Sequence, residues 1–565
     1  MRAIAMRHLI ALSLLMALGL SAEAFAQPAA DEPEDGEGGA EAGLEPEEPP
    51  SEPAEAESPD EPVDEPVDGA AERSDEPVAA PAAEPTAASE GEAESRRAEG
   101  AARTDEPAEQ IDPTSAEPET AHRGEFSFGS YGRVIAAGDG RGRPGRDADI
   151  VAHGSRLDHD NYVELELRRD DHWPAVDADT RFVATLALGH PTFHYDGQFD
   201  AAIAVRNLYL EERDLGLTGL SFWAGSRMLR GDDIYLVDFW PLDNLNTLGA
   251  GLGYQAESHT TARVHVGLGQ PTNPFYQQQV ERAAPLNQYG TASVAILDRL
   301  RFIGSAKVEQ LVLFDGGAGL KFSAYGEAHK VPSGERETAA TQVMEAVPAD
   351  GGWVVGGQFG GFTGERDTHV NIFVRYARGL AAYGEFATPH GLGPDRTASD
   401  ASEILIAMGG NWEFGPATVL LGAYFRSFRN ASPALDFGDV DEGIVIARPH
   451  VFFTEWLGLA IEGSFQAQQR GVLADVGKQE SEFGSTSPEP VIAHLSRIGV
   501  IPFVTPAGQG SFSRPVFWAI YTASFRDDAA RALYPLDDPF NIREIEHFAG
   551  VGAEWWLGST SYGEQ

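Results

Sequence analysis

The sequence predicts an all-β chain that closes into a transmembrane antiparallel β-barrel, behind an export signal and a long acidic spacer. Three observations lead there. From Arg123 onward the chain reads as many short segments in which apolar and polar residues alternate with period 2. No stretch reaches the ~18 consecutive apolar residues that a membrane helix needs. The chain is marked for export yet holds 0 Cys, so it builds neither a disulfide framework nor thiolate chemistry.

Residues 1–26 read as a secretory signal peptide. Arg2 and Arg7 give the positive start, Leu9 to Leu20 the apolar core, and Ala24-Phe25-Ala26 a small-x-small cleavage site before Gln27. That core is shorter than the ~20 residues of a membrane-spanning helix, so cleavage is expected rather than anchoring.

Residues 27–122 hold 31 Asp/Glu against 4 Arg, have no aromatic residue, and are rich in Pro, Ala and Glu. Loose repeats such as Asp60-Glu-Pro-Val-Asp-Glu-Pro-Val-Asp68 run through them. Such a segment cannot bury enough apolar surface to offset the entropy of ordering it, so disorder is expected. Self-repulsion and proline keep it extended. It reads as a periplasmic spacer. A tether to other envelope material is the functional alternative.

Residues 123–565 then carry the barrel. Their formal charge is −21, which offers no basic stripe for nucleic acid and weighs against an anion-selective pore. In Asn161-Tyr-Val-Glu-Leu-Glu-Leu-Arg168, Val163, Leu165 and Leu167 share one face, and Tyr162, Glu164, Glu166 and Arg168 the other. In Phe126–Val134, the residues Ser127, Gly129, Tyr131 and Arg133 share a face. In the closing segment Ala549–Leu557, Trp555 lies on the apolar face, and Glu554 and Trp556 on the opposite one. Candidate strands are about the ~10 residues that cross a bilayer when tilted. With roughly 25 residues per strand and its connections, about 16 to 18 strands fit one closed sheet. A barrel of that width has a polar lumen rather than a solid core.

One stretch points to function as well as fold. Ser221-Phe-Trp-Ala-Gly-Ser-Arg227 runs into Arg230-Gly-Asp-Asp-Ile-Tyr-Leu-Val-Asp-Phe-Trp240 and closes on Leu248-Gly-Ala-Gly-Leu-Gly253. It resembles the inward-folded constriction loop of maltoporin-type carbohydrate porins. Further blocks resemble that family in order along the barrel region. They are Ser130-Tyr-Gly-Arg133, Ser155-Arg-Leu157 with Tyr162-Val-Glu-Leu165, Ala447-Arg-Pro449, Ser513-Arg-Pro515 and Glu554-Trp-Trp-Leu557. Each block alone is weak; together, in order, they are strong. The resemblance implies an 18-stranded outer-membrane barrel, a homotrimer, and facilitated diffusion of oligosaccharides.

The resemblance also implies roles. Tyr131, Tyr162 and Trp556 match aromatic positions that stack on sugar faces, and Trp240 an aromatic that narrows the pore from the loop. Arg133, Arg156, Glu164, Asp233 and Asp238 match polar positions that exchange hydrogen bonds with the hydroxyl rim. Asp238 has a structural alternative, pinning the loop to the wall through an arginine. Arg230 sits one place from the family's loop arginine. Phe193 or Tyr195 matches, loosely, an aromatic that reaches into a neighbouring subunit's channel. Trp555 reads instead as an interfacial girdle residue. Two departures leave the aromatic path incomplete: Glu442-Gly443 stands where the family has paired tryptophans, and Val355 where it has a phenylalanine. A general diffusion porin of low sugar selectivity is therefore the alternative reading.

Enzyme classes find no support. The sequence has no Gly-x-Ser-x-Gly elbow and no His-Glu-x-x-His zinc motif. Gly249-Ala-Gly-Leu-Gly253 lacks the strand–helix setting of a dinucleotide loop. Asp158-His-Asp-Asn161 lacks the glycine and closing glutamate of a calcium loop. No cofactor or metal is expected, and the partners are sugars and outer-membrane lipid.

Overall fold

The alternating segments form the strands that the sequence predicts, and the sheet they build closes on itself. The computed structural model describes residues 123–559 except 160, 190–201, 339–342, 364–367, 385–387, 433–437 and 471–490. The expected signal peptide, the spacer at 27–122, and Phe193 and Tyr195 lie outside the described residues.

Strands β1 (Arg123–Gly138), β2 (Tyr162–Trp173), β3 (Ala178–Gly189), β4 (Ala202–Arg213), β5 (Leu220–Arg230), β6 (Asn244–Gln255) and β7 (Thr260–Gly269) pair in chain order, each antiparallel to the last. A hairpin of β8 (Gln277–Ala283) and β9 (Thr291–Asp298) stands outside the sheet before β10 (Arg301–Leu313) resumes it against β7. After β11 (Gly319–Val331) a second hairpin, β12 (Gly334–Glu337) with β13 (Met344–Val347), intervenes. The sheet continues through β14 (Asp350–Phe362), β15 (His369–Gly379), β16 (Ser402–Glu413), β17 (Ala417–Arg429), β18 (Val440–Phe452) and β19 (Leu457–Arg470). It ends with β20 (Val491–Val504), β21 (Val516–Arg526) and β22 (Ile545–Leu557), and β22 pairs with β1 to close an 18-stranded barrel. Closure leaves no strand edge, which lipid demands because it offers backbone groups no other partner. No helix among the described residues is long and apolar enough to cross a membrane.

Burial in this barrel is inverted relative to a soluble protein. Glu164, Glu166 and Glu554 face the lumen and are 0% exposed, while Leu165, Leu167 and Val551 on the opposite face are 39%, 45% and 63% exposed. Large apolar side chains from around the barrel, among them Phe126, Phe182, Val266, Phe359 and Phe517, point outward. In water such a surface would be a liability. Facing hydrocarbon it is the stable arrangement, with the polar side chains lining the lumen. Val355 also belongs to this outer face, and its neighbour Val354 is the buried one. The expectation that Val355 occupies a lumen position is therefore corrected by one step of strand alternation. Trp555 lies outward as expected. Its indole covers Gly132, where a Cβ would stand 2.1 Å from the ring, and its Nε1 donates to Ser130 Oγ at 3.0 Å.

The two barrel ends differ. Connections at one end are short, such as 174–177 and 414–416, whereas those at the other include 139–161, 231–243 and 270–300. Two of the long connections fold into the lumen and carry an apolar core there. Ile234, Leu236, Phe239 and Leu242 of the 231–243 loop pack on Val354, Phe373, Leu405, Leu420 and Ile444 of β14 to β18. Leu157 of the 139–161 connection packs on Ile501, Phe503, Val516 and Ile520 of β20 and β21.

Candidate functional site

Strand register gathers five of the sequence candidates, together with Glu554, into two rows. Tyr131 lies opposite Trp556 on one side and Glu164 on the other, and Arg133 lies opposite Glu554 and Tyr162. All six share the lumen face of β22, β1 and β2, so the alternation that defines the strands also assembles this wall. Tyr131 and Tyr162 rings stand 6.0 Å apart. The Tyr162 hydroxyl donates to Glu164 Oε1 at 2.5 Å, and Arg206 of β4 pairs with the same carboxylate.

The 231–243 loop closes over this wall. Asp232 pairs with Lys321 of β11 at 3.0 Å, and Asp243 with Lys307 of β10 at 2.9 Å, so both loop ends are pinned to the barrel. Between them the loop lies against two lumen-facing glycines: a Cβ on Gly409 would stand 3.3 Å from Ile234 Cγ1, and one on Gly422 2.9 Å from Ile234 Cγ2. The missing side chains are what let the loop backbone approach the wall. A 3-10 turn at Tyr235–Val237, ended by Asp238 in a left-handed conformation (φ 49°), aims Tyr235 across the lumen.

Tyr235 is the centre of the site. Its hydroxyl donates to Glu554 Oε2 at 2.8 Å. The Arg156 guanidinium lies 4.1 Å over its ring, and that of Arg514 5.5 Å away. Arg156 reaches Glu554 Oε1 at 2.6 Å and donates to the Tyr131 hydroxyl at 2.9 Å; Arg514 reaches Glu554 Oε2 at 2.8 Å. Phe512 and Trp556 flank Tyr235 with ring centroids at 5.4 and 6.2 Å. Arg514 also lies 4.5 Å over Trp556. One fully buried carboxylate thus joins two arginines and a phenol, with three aromatic rings around them. Charge-assisted bonds of this kind are the stronger hydrogen bonds.

Three chain segments deliver these groups. The connection 139–161 brings Arg156. It is held by Ala152 N–H to Glu442, His153 N–H to the Tyr424 hydroxyl (3.0 Å) and Arg497 to Asp149 and Asp158 (2.8 and 3.0 Å). Its His153 ring stacks on Phe239 of the loop at 3.9 Å. The turn 505–515 at the short-turn end brings Phe512 and Arg514. It reaches β16 through Ser511 N–H to Glu413 (2.8 Å) and Ser511 Oγ to Asn411 (2.7 Å).

The remaining candidates are placed as follows. Arg133 is buried and donates to the Arg156 carbonyl at 3.4 Å. Trp240 is buried under the Arg230 guanidinium, 3.7 Å above its ring, and Arg230 bonds Asn244 Oδ1 at 2.8 Å. Asp233 sits beside Ile234 with its carbonyl oxygen 3.4 Å from the Cβ position of Gly409. The ion pairs that pin the loop belong to Asp232 and Asp243, and Asp238 forms no such pair among the described residues. Tyr235, Phe512, Arg514 and Glu554 were not singled out as site residues from sequence. All four fall inside or beside quoted motifs, but no local pattern announces that a loop tyrosine meets the last strand. Glu442, which stands where paired tryptophans were expected, pairs with Arg426 at 2.8 Å and accepts the Ala152 N–H at 3.2 Å. It anchors an inward-folded connection rather than leaving an empty aromatic position.

Among the described residues, Asp147, Asp149 and His159 bring ligand atoms within 4.8 Å of one another. Arg497 already supplies a positive charge to Asp149 there.

A family model described as LamB porin matches residues 126–556. No curated protein sequence matches. Solved structures similar to this chain include OmpT of Vibrio cholerae in its trimer form, at 12% identity and TM-score 0.33, covering 77% of this chain and 100% of that one. OccAB1 of Acinetobacter baumannii matches at 11% identity and TM-score 0.36, covering 77% and 96%. OpdK of Pseudomonas aeruginosa, solved with vanillate, matches at 10% identity and TM-score 0.34, covering 77% and 98%.

Proposed function

We propose, from the premise that this chain belongs to the LamB porin family, that the channel it forms in the outer membrane passes carbohydrates by facilitated diffusion. The observation that carries the reading is the convergence at the constriction. Half-buried aromatic rings, Tyr235 and Trp556 with Phe512 beside them, stand next to the Arg156–Glu554–Arg514 network. A sugar has flat apolar faces and a rim of hydroxyls. Rings take the faces, and charged groups exchange hydrogen bonds with the rim. Binding at several weak stations lets the solute leave as readily as it enters.

In this reading Tyr162, Tyr235 and Trp556 form the stacking side, and Arg133, Arg156, Glu164, Asp233 and Asp238 the polar side. Tyr131 and Trp240 shape the narrow point from beneath arginines. Cleavage after Ala26 delivers the chain to the envelope, and the acidic stretch at 27–122 is an extended periplasmic spacer. Three copies assemble as a homotrimer. A general diffusion porin is the second reading, favoured by the burial of Tyr131 and Trp240, which interrupts a continuous aromatic track.

Single-channel conductance in a planar bilayer, titrated with maltooligosaccharides and sucrose, tests the proposal. Saturable block of the ion current supports a sugar-binding channel. Open-channel current that no sugar reduces hands the protein to the general porin reading.

A further inference from the structure

A cavity of about 460 Å³ opens between β4–β7 and β10–β11, on the short-turn side of the constriction loop. That is the size of small-molecule sites, which run ~300–1,000 Å³. None of the residues matched to sugar positions, apart from Arg230 at its edge, lines it. Its charge runs against that of the chain. The lining holds five Arg/Lys and three Asp/Glu, in a protein whose formal net charge is −47.

The carboxylates there are already engaged. Glu211 pairs with Arg227 at 2.8 Å, Asp243 with Lys307 at 2.9 Å, and Asp214 Oδ1 accepts the Gly219 N–H at 2.6 Å. The cations are held in place. Arg227 lies 4.5 Å over the Tyr209 ring and 5.4 Å over Trp223. Trp223 in turn stacks on His265 at 5.6 Å and 10°. Both His265 ring nitrogens are taken, by Thr247 Oγ1 at 2.7 Å and Ser305 Oγ at 3.2 Å. This stack fixes one of the two rings that Arg227 lies on.

Arg263 is the exception among the cations. It is exposed to the lumen on the same face of β7 as His265, and it makes no hydrogen bond or ion pair among the described residues. Register sets it directly opposite Lys307 of β10. Like charges directly opposite each other destabilise a sheet. Lys307 already holds Asp243 at 2.9 Å, which leaves Arg263 as the cation open to an anion, and arginine's planar fork suits carboxylate and phosphate oxygens.

We infer that this cavity is an anion-binding station for an acidic saccharide, one bearing carboxylates or phosphates, that has passed the constriction. The saccharide half of the inference rests on the channel reading above; the anionic half rests on Arg263, since Lys307 and Arg227 already carry Asp243 and Glu211. Arg263 sets the preference for charge, and the stacked Arg227 supplies the second contact.

The test uses the full-length protein in planar bilayers. Current block is titrated with trigalacturonate, glucose 6-phosphate and maltotriose, and the zero-current potential is read across a KCl gradient. In the native channel an acidic saccharide blocks at lower concentration than maltotriose. Trigalacturonate ahead of glucose 6-phosphate assigns carboxylate as the charge, and the reverse order assigns phosphate. Arg263→Ala raises the half-block concentration of the acidic sugar by about tenfold, the factor that 1.4 kcal/mol confers. It leaves maltotriose unchanged and shifts the zero-current potential toward cation selectivity. Arg263→Lys restores most of both and shows that the loss is one of charge. Equal block by acidic and neutral sugars, with an unmoved potential in Arg263→Ala, overturns the inference while leaving the sugar channel standing. If no saccharide blocks, the sugar-channel reading fails, and the potential alone decides whether the station binds anions.

Discussion

The Tyr235 hydroxyl donates to Glu554 at 2.8 Å, tying the tip of the constriction loop to the last strand of the barrel. The loop is thereby held at three points: two ion pairs at its ends and this bond across the lumen. Removing the ring with Tyr235→Ala takes away both the obstruction and the tie, so single-channel conductance should rise and current noise increase. Tyr235→Phe keeps the ring and loses the hydroxyl's bonds to Glu554 and Arg514, each hydrogen bond to a charged group being worth about 1.5–3 kcal/mol. It should raise noise while changing mean conductance little. Identical traces from all three proteins would show that the tie does not hold the loop in the working channel.

Trp556 and Tyr162 are half-buried on the lumen face, where a sugar can reach a ring. Stacking contributes roughly 0.5–1.5 kcal/mol in aromatic pairs. Trp556→Ala and Tyr162→Ala should each weaken sugar block by about two- to tenfold on that scale. Open-channel conductance should hold or increase. A sugar titration that neither substitution moves would remove both residues from the binding path.

Much of this was legible in the sequence because a barrel wall is written in period 2. Glu164 against Leu165, or Glu554 against Val551, fixes which face is lumen without knowledge of any other strand. What the pattern cannot convey is where connections go once they leave the wall. Arg156 reaches Glu554 across 398 residues, and Arg514 reaches Tyr235 across 279. Neither contact has a local signature. Val355 shows the opposite failure: a one-residue offset in matching a motif moves a side chain from lumen to lipid. Glu442 shows a third, since its burial between Arg426 and the backbone of Ala152 depends on a connection folding inward.

The wall beneath the loop contains an alternating series of charges on neighbouring strands. Arg375 of β15 pairs with Glu403 of β16 at 2.7 Å, Glu403 with Arg426 of β17 at 3.6 Å, and Arg426 with Glu442 of β18 at 2.8 Å. Arg426, Glu403 and Glu442 are nearly inaccessible, so removing one member strands charge in a dry site. Arg426→Ala should destabilise the barrel by about 3–5 kcal/mol, the cost of breaking a buried pair. The readout is a lower urea midpoint for loss of the compact, heat-modifiable form on a gel. Arg426→Lys keeps the charge and should recover part of the loss. A midpoint in Arg426→Ala equal to that of the native protein would mean that water reaches the pair.

Gly422 offers a way to move the loop without touching it. A Cβ there would stand 2.9 Å from Ile234 Cγ2 and 3.1 Å from Ile446 Cγ2, closer than ordinary contact. Gly422 is not among the residues with positive φ, so the strand accepts a side chain and the strain falls on its neighbours. Overpacking of this kind costs typically 1–3 kcal/mol, about as much as the loop gains from one of its buried apolar residues. Gly422→Val should therefore lift Ile234 off the wall, and Tyr235 with it. Conductance should increase and sugar block weaken, while the urea midpoint of the barrel stays within the range of a surface substitution. Unchanged conductance with a lowered midpoint would mean that the loop holds its place and the wall yields instead.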